Sequence, residues 1–179
     1  KSLTQAVEIL RAHCVMATAH LVFKPPFMSV GDALSHMTKW IREVVPDSDE
    51  IRVNPMNIQR RTIVDRIFRH REYRPPWLWS LVQMIRNVHP DINLDGEAQT
   101  RLIVHPTAAG SIRCAHNCGQ CDKEVAAAIE RYSVSGSLLE FDGLSCECET
   151  QWATEIALDE SLPMPVSYTH LTPPKQAQG

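Results

Sequence analysis

Apolar residues recur along this chain with two different periods, and the alternation between them outlines the fold. Leu3, Ala6, Val7 and Leu10 share one face of a helix predicted over Ser2–His13, with Ser2 and Gln5 placed for a capping box. Cys14–Phe23 then runs apolar and strand-compatible, and stops at Lys24-Pro25-Pro26. Val30, Leu34, Met37, Ile41 and Val44 return to three- and four-residue steps, which predicts an amphipathic helix capped by Ser29. Glu50–Val53 predicts a second short strand, ending at Asn54-Pro55. Helical stretches follow from about Thr62 to His70 and from Pro76 onward, the second with Trp77, Leu81, Met84, Ile85 and Val88 on one side. A proline suits the first turn, where no backbone donor is needed. Arg101–Val104 predicts a third strand, ending at His105-Pro106. After a small-residue loop over Thr107–Ser111, helices are expected from about Lys123 to Tyr132 and beyond Cys148, where Trp152 and Ile156 align.

The three strands share one plan: an apolar run, one polar residue, then proline. Strands of continuous apolar character alternating with helices point to an α/β fold with a parallel sheet covered by helices. In such sheets and in (β/α) barrels, chemistry sits beyond the carboxyl ends of the strands. Lys24, Asn54 and His105 occupy those ends and are expected to converge at one mouth. Taken singly, each reads equally as a strand terminator beside a turn proline.

Composition changes this picture only in places. The chain has 179 residues, 44% hydrophobic and 22% charged, which suits a packed globular domain. Its longest apolar runs fall short of a bilayer span, so a membrane role is not expected. The first residue is Lys1 and the helical pattern begins almost at once, so the chain is read as a fragment, cytoplasmic in setting. The net charge of −3 is unevenly spread. Six arginines (Arg60, Arg61, Arg66, Arg69, Arg71 and Arg74) face only Asp65 and Glu72 between Gln59 and Arg74. From Asp122 to Ser161, ten acids stand against Lys123 and Arg131. One region is therefore suited to a polyanion and another repels it. The tail Pro165–Gly179 (PVSYTHLTPPKQAQG) matches no preceding pattern and resembles translated sequencing-adapter read-through, so it is set apart from the fold.

Five of the six cysteines lie between Cys114 and Cys148. Cys118-Gly-Gln-Cys121 is a C-x2-C knuckle, and Cys146-Glu-Cys148 follows it 25 residues after Cys121. Two close pairs brought together make a tetrahedral thiolate site, suited to zinc or to iron–sulfur. Gly119 permits the tight turn, and a helix starting at Asp122 would aim amides at the thiolates. Cys114-x3-Cys118-x2-Cys121 also has the spacing of a radical-SAM cluster loop. That loop follows the first barrel strand, however, and here the spacing follows the last visible one. Cys118, Cys121, Cys146 and Cys148 are therefore the expected ligands, and Cys114 is incidental.

Four stretches read together carry a family resemblance: LVFKPPF (Leu21–Phe27), NPMNIQRRTIVD (Asn54–Asp65), YRPPWLWS (Tyr73–Ser80) and HNCGQCDKEVAAAI (His116–Ile129), followed by CEC. They resemble the archaeosine-biosynthesis radical-SAM proteins of archaea (RaSEA), over roughly Lys1 to Leu158. The resemblance implies the C-terminal half of a partial (β/α) radical-SAM barrel over residues 1–110, and a small cysteine-rich metal-binding extension over 111–160. It implies cleavage of a carbon–nitrogen bond in a lysine-adducted 7-deazaguanine base of tRNA, with a [4Fe-4S] cluster and S-adenosylmethionine as cofactors. The family's cluster motif lies upstream of Lys1, so the fragment is expected to be inactive alone. Implied partners are tRNA and the lysine-transferring enzyme of the same pathway. The alternatives are another radical-SAM RNA-modifying enzyme and a non-catalytic, zinc-dependent tRNA-binding module.

Within that frame, Lys24, Asn54, Asn57, Gln59 and His105 are expected at the S-adenosylmethionine or substrate pocket. Asn54, Asn57 and Gln59 equally read as loop caps. The six arginines are expected to meet tRNA phosphates. Of Trp77 and Trp79, one is expected in the core and the other exposed, where it would be available for base stacking. His116 and Asn117 are placed to support the metal ligands.

Overall fold

The computed structural model describes residues 3–92 and 100–161. The tail Pro165–Gly179 and the Ser2 side of the capping box lie outside them. Helix α1 (Leu3–Ala12) precedes strand β1 (Thr18–Phe23), helix α2 (Val30–Val44) and strand β2 (Glu50–Pro55). Helices α3 (Ile63–Arg69) and α4 (Leu78–Ile92) lead to strand β3 (Arg101–Val104), then helices α5 (Asp122–Ser135) and α6 (Cys148–Ser161). The three strands form one parallel sheet in the order β1-β2-β3.

The register assigns the two faces of the sheet. Leu21 pairs with Val53 and Val53 with Val104, while Ala19 pairs with Ile51 and Ile51 with Leu102. Parallel partners point to the same side. These side chains join Ile41 of α2, Leu81 and Ile85 of α4, and Ile129 of α5 in one core. The opposite face adds nothing to that core: His20 and Val22 are exposed, Arg52 pairs with the buried Glu50, and Asn54 is half-buried. Ile103 on that face is buried but lies outside this core; α2, α4 and α5 pack on the other side of the sheet.

The local signals for α2 and α3 are borne out. Ser29 Oγ accepts from the Asp32 amide at 3.0 Å, and Thr62 accepts from Asp65 as the N-cap of α3. Other boundaries moved for identifiable reasons. β1 begins at Thr18, not Cys14, because the chain turns after α1: the Cys14 amide bonds the Arg11 carbonyl and Cys14 takes a φ of 55°. α4 begins at Leu78, so Pro76 precedes the helix instead of opening it. α5 runs on to Ser135 and ends where Gly136 adopts a φ of 68°. A 3-10 turn over Leu138–Phe141, unforeseen in the pattern, buries Phe141 against Tyr132 at 5.5 Å between ring centres.

Candidate metal centre

Cys118, Cys121, Cys146 and Cys148 meet at one point, with all four Sγ atoms within 4.8 Å of one another. Cys118 and Cys146 are 3.6 Å apart, as are Cys121 and Cys148. These separations are far too long for a disulfide bond and short enough for one shared ligand-binding centre. Cys114 stands outside the group; its carbonyl accepts from His116 Nδ1 at 2.8 Å. The donor set therefore fits a thiophilic metal, and the three-cysteine reading of Cys114, Cys118 and Cys121 does not match the geometry.

The knuckle is held from beneath by a carboxylate. Asp122 accepts from the Asn117 amide at 2.8 Å and from the Gly119 amide at 2.6 Å, and Gly119 has a φ of 91°. Backbone amides of Cys121 and Gln120 aimed at the exposed Cys118 lower its pKa to about 7. Cys121 and Cys148 lie deeper, and burial pushes both thiols up. A metal cation would reverse that cost by favouring the thiolates.

Two neutral donors reach the buried sulfurs. Asn117 Nδ2 lies 3.2 Å from Cys121 Sγ, and Trp79 Nε1 lies 3.3 Å from Cys148 Sγ. Asn117 also caps α4, since its Oδ1 accepts from the Leu78 and Trp79 amides at 2.9 and 3.3 Å. Asn117 thus supports the site as the sequence suggested, whereas His116 turns to the Cys114 carbonyl. Trp79 was missed as a sulfur partner: nothing in its spacing connects it to a cysteine 69 residues later.

Both Trp77 and Trp79 are buried, which overturns the expectation of one exposed for base stacking. Trp77 Nε1 donates to Glu155 Oε2 of α6 at 2.7 Å, and the Arg74 guanidinium lies over its ring at 3.6 Å. The Arg74 side chain also donates to the carbonyls of Pro75 and His116. It is a structural clasp between the α4 entry and the cysteine region. Arg69 pairs with Asp65 at 2.9 Å, alongside Arg113 at 2.8 Å. Arg60, Arg61, Arg66 and Arg71 remain exposed.

At the strand ends, Asn54 and His105 lie beside Val22 and beyond Val104, at the same end of the sheet. His105 is exposed. Lys24 follows β1 with a φ of 53° and is buried; Nζ donates to the Arg74 carbonyl at 2.9 Å and lies 4.8 Å from the Tyr73 ring centre. Burial lowers its pKa to about 8. Asn57 Oδ1 is buried without a hydrogen-bond partner. Gln59 is exposed, and its carbonyl accepts from the Thr62 hydroxyl.

No family model matches this sequence, and no solved structure matches it. Among curated proteins, it is 30% identical over 158 residues to the archaeosine synthase subunit beta of Methanosarcina acetivorans, covering 87% of this chain and 43% of that protein. It is 30% identical over 152 residues to the protein of the same name from Thermococcus kodakarensis, covering 83% of this chain and 44% of that one. An uncharacterized Methanocaldococcus jannaschii protein is 22% identical over 173 residues, 93% of this chain and 45% of that protein. The chain thus spans less than half the length of these relatives.

Proposed function

This chain belongs to the archaeosine-biosynthesis family of its relatives, and on that premise we propose that it supplies the C-terminal half of a radical-SAM barrel acting on tRNA. The carrying observation is the one-sided sheet. Helices on a single face, with strands in unreversed order, are the arrangement of a barrel wall. A doubly wound sheet would reverse its strand order and carry helices on both faces.

The two edges of the sheet support the same reading. On the outer edge of β3, the Val104 amide donates to Ser133 Oγ at 2.9 Å and the Val104 carbonyl accepts from it at 3.1 Å, so α5 closes that side. Along β1, at the other end of the sheet, runs a groove of about 560 Å³ lined by His20, Val22, Met28, His36 and Trp40. Further strands of the longer relatives would add there. Residues 1–110 then form barrel wall and residues 111–160 a metal-bearing extension.

Substrate chemistry belongs at the strand ends. Asn54, Asn57, Gln59 and His105 offer polar groups for S-adenosylmethionine or the modified base. Lys24 positions the Tyr73–Arg74 loop behind them. The cysteines present do not form the three-thiolate cradle that a SAM-cleaving cluster requires, so no radical step is assigned to residues of this chain. That step, with cleavage of the carbon–nitrogen bond in the lysine-adducted base, falls to the remainder of the enzyme, in the cytoplasm. The lysine-transferring enzyme is its partner. Exposed arginines on and around α3 meet tRNA phosphates.

Deletion of the gene, followed by mass spectrometry of tRNA nucleosides, tests this reading. Archaeosine should disappear while its lysine-adducted precursor accumulates. Unchanged archaeosine would end the proposal, and a different missing nucleoside would favour another radical-SAM RNA modifier.

A further inference from the structure

We infer that the four thiolates hold a single zinc ion in a closed tetrahedral shell, and that Trp79 and Asn117 tie that shell to the start of α4. The distances carry the choice of ion. Zinc binds thiolate at about 2.3 Å, which places the sulfurs of a tetrahedral shell about 3.8 Å apart. Two of the sulfur pairs here are 3.6 Å apart and none exceeds 4.8 Å. An iron–sulfur cluster spreads its ligands further. In a four-iron cube each thiolate leaves from its own corner, and in a two-iron cluster only thiolates sharing one iron stay this close.

The shell is complete, because four protein sulfurs leave no open position for a substrate or for S-adenosylmethionine. That is the signature of a structural site. Zinc with four thiolates carries two net negative charges. Trp79 Nε1 and Asn117 Nδ2 donate to the two buried sulfurs, and Arg74 lies within electrostatic reach of Cys148. These donors orient the ligands and soften the buried charge. Cys118 is exposed, so a ferrous ion would be open to oxidation there, whereas zinc has no redox chemistry.

The consequence is mechanical. Asn117 bonds a metal ligand through one end of its amide and caps two α4 amides through the other. α6 begins at Cys148, a ligand itself. Zinc thereby clamps α4, α5 and α6 at their N-termini. This inference stands apart from the tRNA reading, since metal content is measured without substrate.

The test is metal and sulfide analysis of the chain purified anaerobically from medium containing both iron and zinc, followed by X-ray absorption. The expected result is one zinc per chain, no acid-labile sulfide, and four sulfurs at about 2.3 Å. Cobalt replacement should give the visible bands of a tetrahedral tetrathiolate. Cys118→Ser and Cys146→Ser should lower zinc occupancy, while Cys14→Ser and Cys114→Ser should leave it intact. Iron with sulfide, a single iron, a nitrogen or oxygen ligand, or zinc loss in Cys114→Ser would each overturn the inference. If a ligand variant fails to fold, the metal count and X-ray absorption of the unaltered chain still decide.

Discussion

At the scale of single residues, two buried polar side chains, Asn117 and Lys24, tie together parts of the chain that are distant in sequence. Asn117 uses its oxygen on two helix amides and its nitrogen on the Cys121 sulfur. Asn117→Ala removes both, and should cost about 1–3 kcal/mol in a urea unfolding series. Asn117→Asp keeps the acceptor but replaces the donor with a negative charge beside the sulfurs. Its stability should fall less while zinc affinity, read by chelator competition, falls more. Lys24 behaves differently, since burial lowers its pKa from 10.5 to about 8. Between those values the unfolded chain holds a proton that the folded chain has lost, so stability should rise with pH through that window. The rise amounts to about 3 kcal/mol in full. The wild type should therefore gain on Lys24→Met between pH 8 and pH 10.5 in paired unfolding curves, and parallel curves would refute the assignment.

Among elements, the sheet ends where a helix side chain replaces a strand. Ser133 of α5 accepts from the Val104 amide and donates its hydroxyl within reach of the Val104 and Ile129 carbonyls. Ser133→Ala leaves a buried amide and carbonyl without that partner, which should cost about 1–3 kcal/mol. Protection of the Val104 amide in hydrogen exchange should fall selectively, since the lost bond is its own. Three tryptophans knit α4 and the residue before it to α6 by equally directional contacts: Trp77 to Glu155, Trp79 to Cys148, and Trp152 to Ser80 at 2.8 Å. α6 has little apolar periodicity, and these polar ties explain how it is nonetheless held.

Over the whole molecule, the six arginines between Gln59 and Arg74 divide by their partners. Arg60, Arg61, Arg66 and Arg71 are exposed; Arg69, also exposed, pairs with Asp65, and Arg74 is committed to backbone carbonyls. If Arg60, Arg61, Arg66 and Arg71 meet phosphates, replacing each with alanine should lower the slope of log affinity against log salt for tRNA by roughly 0.7–0.9. Arg74→Ala should instead reduce thermal stability, with the slope unchanged. Filter binding across a salt series separates the two. Among the described residues no helix is long and apolar enough to cross a membrane.

The sequence by itself determined the order of the main helices and strands, the parallel α/β class and the four cysteines that gather into one cluster. Those features are written locally, in apolar periods, in a capping residue such as Ser29, and in the C-x2-C and C-x-C spacings. Tertiary structure alone decided that Trp79 and Asn117 face the sulfurs, that Lys24 turns inward to the Arg74 carbonyl, and that Trp77 is buried beneath Arg74. Each of these rests on a partner distant in sequence: 69 residues separate Trp79 from Cys148, and 50 separate Lys24 from Arg74. A hydrogen bond's direction is set by where two backbones are brought together, and periodicity along one segment contains no record of that meeting.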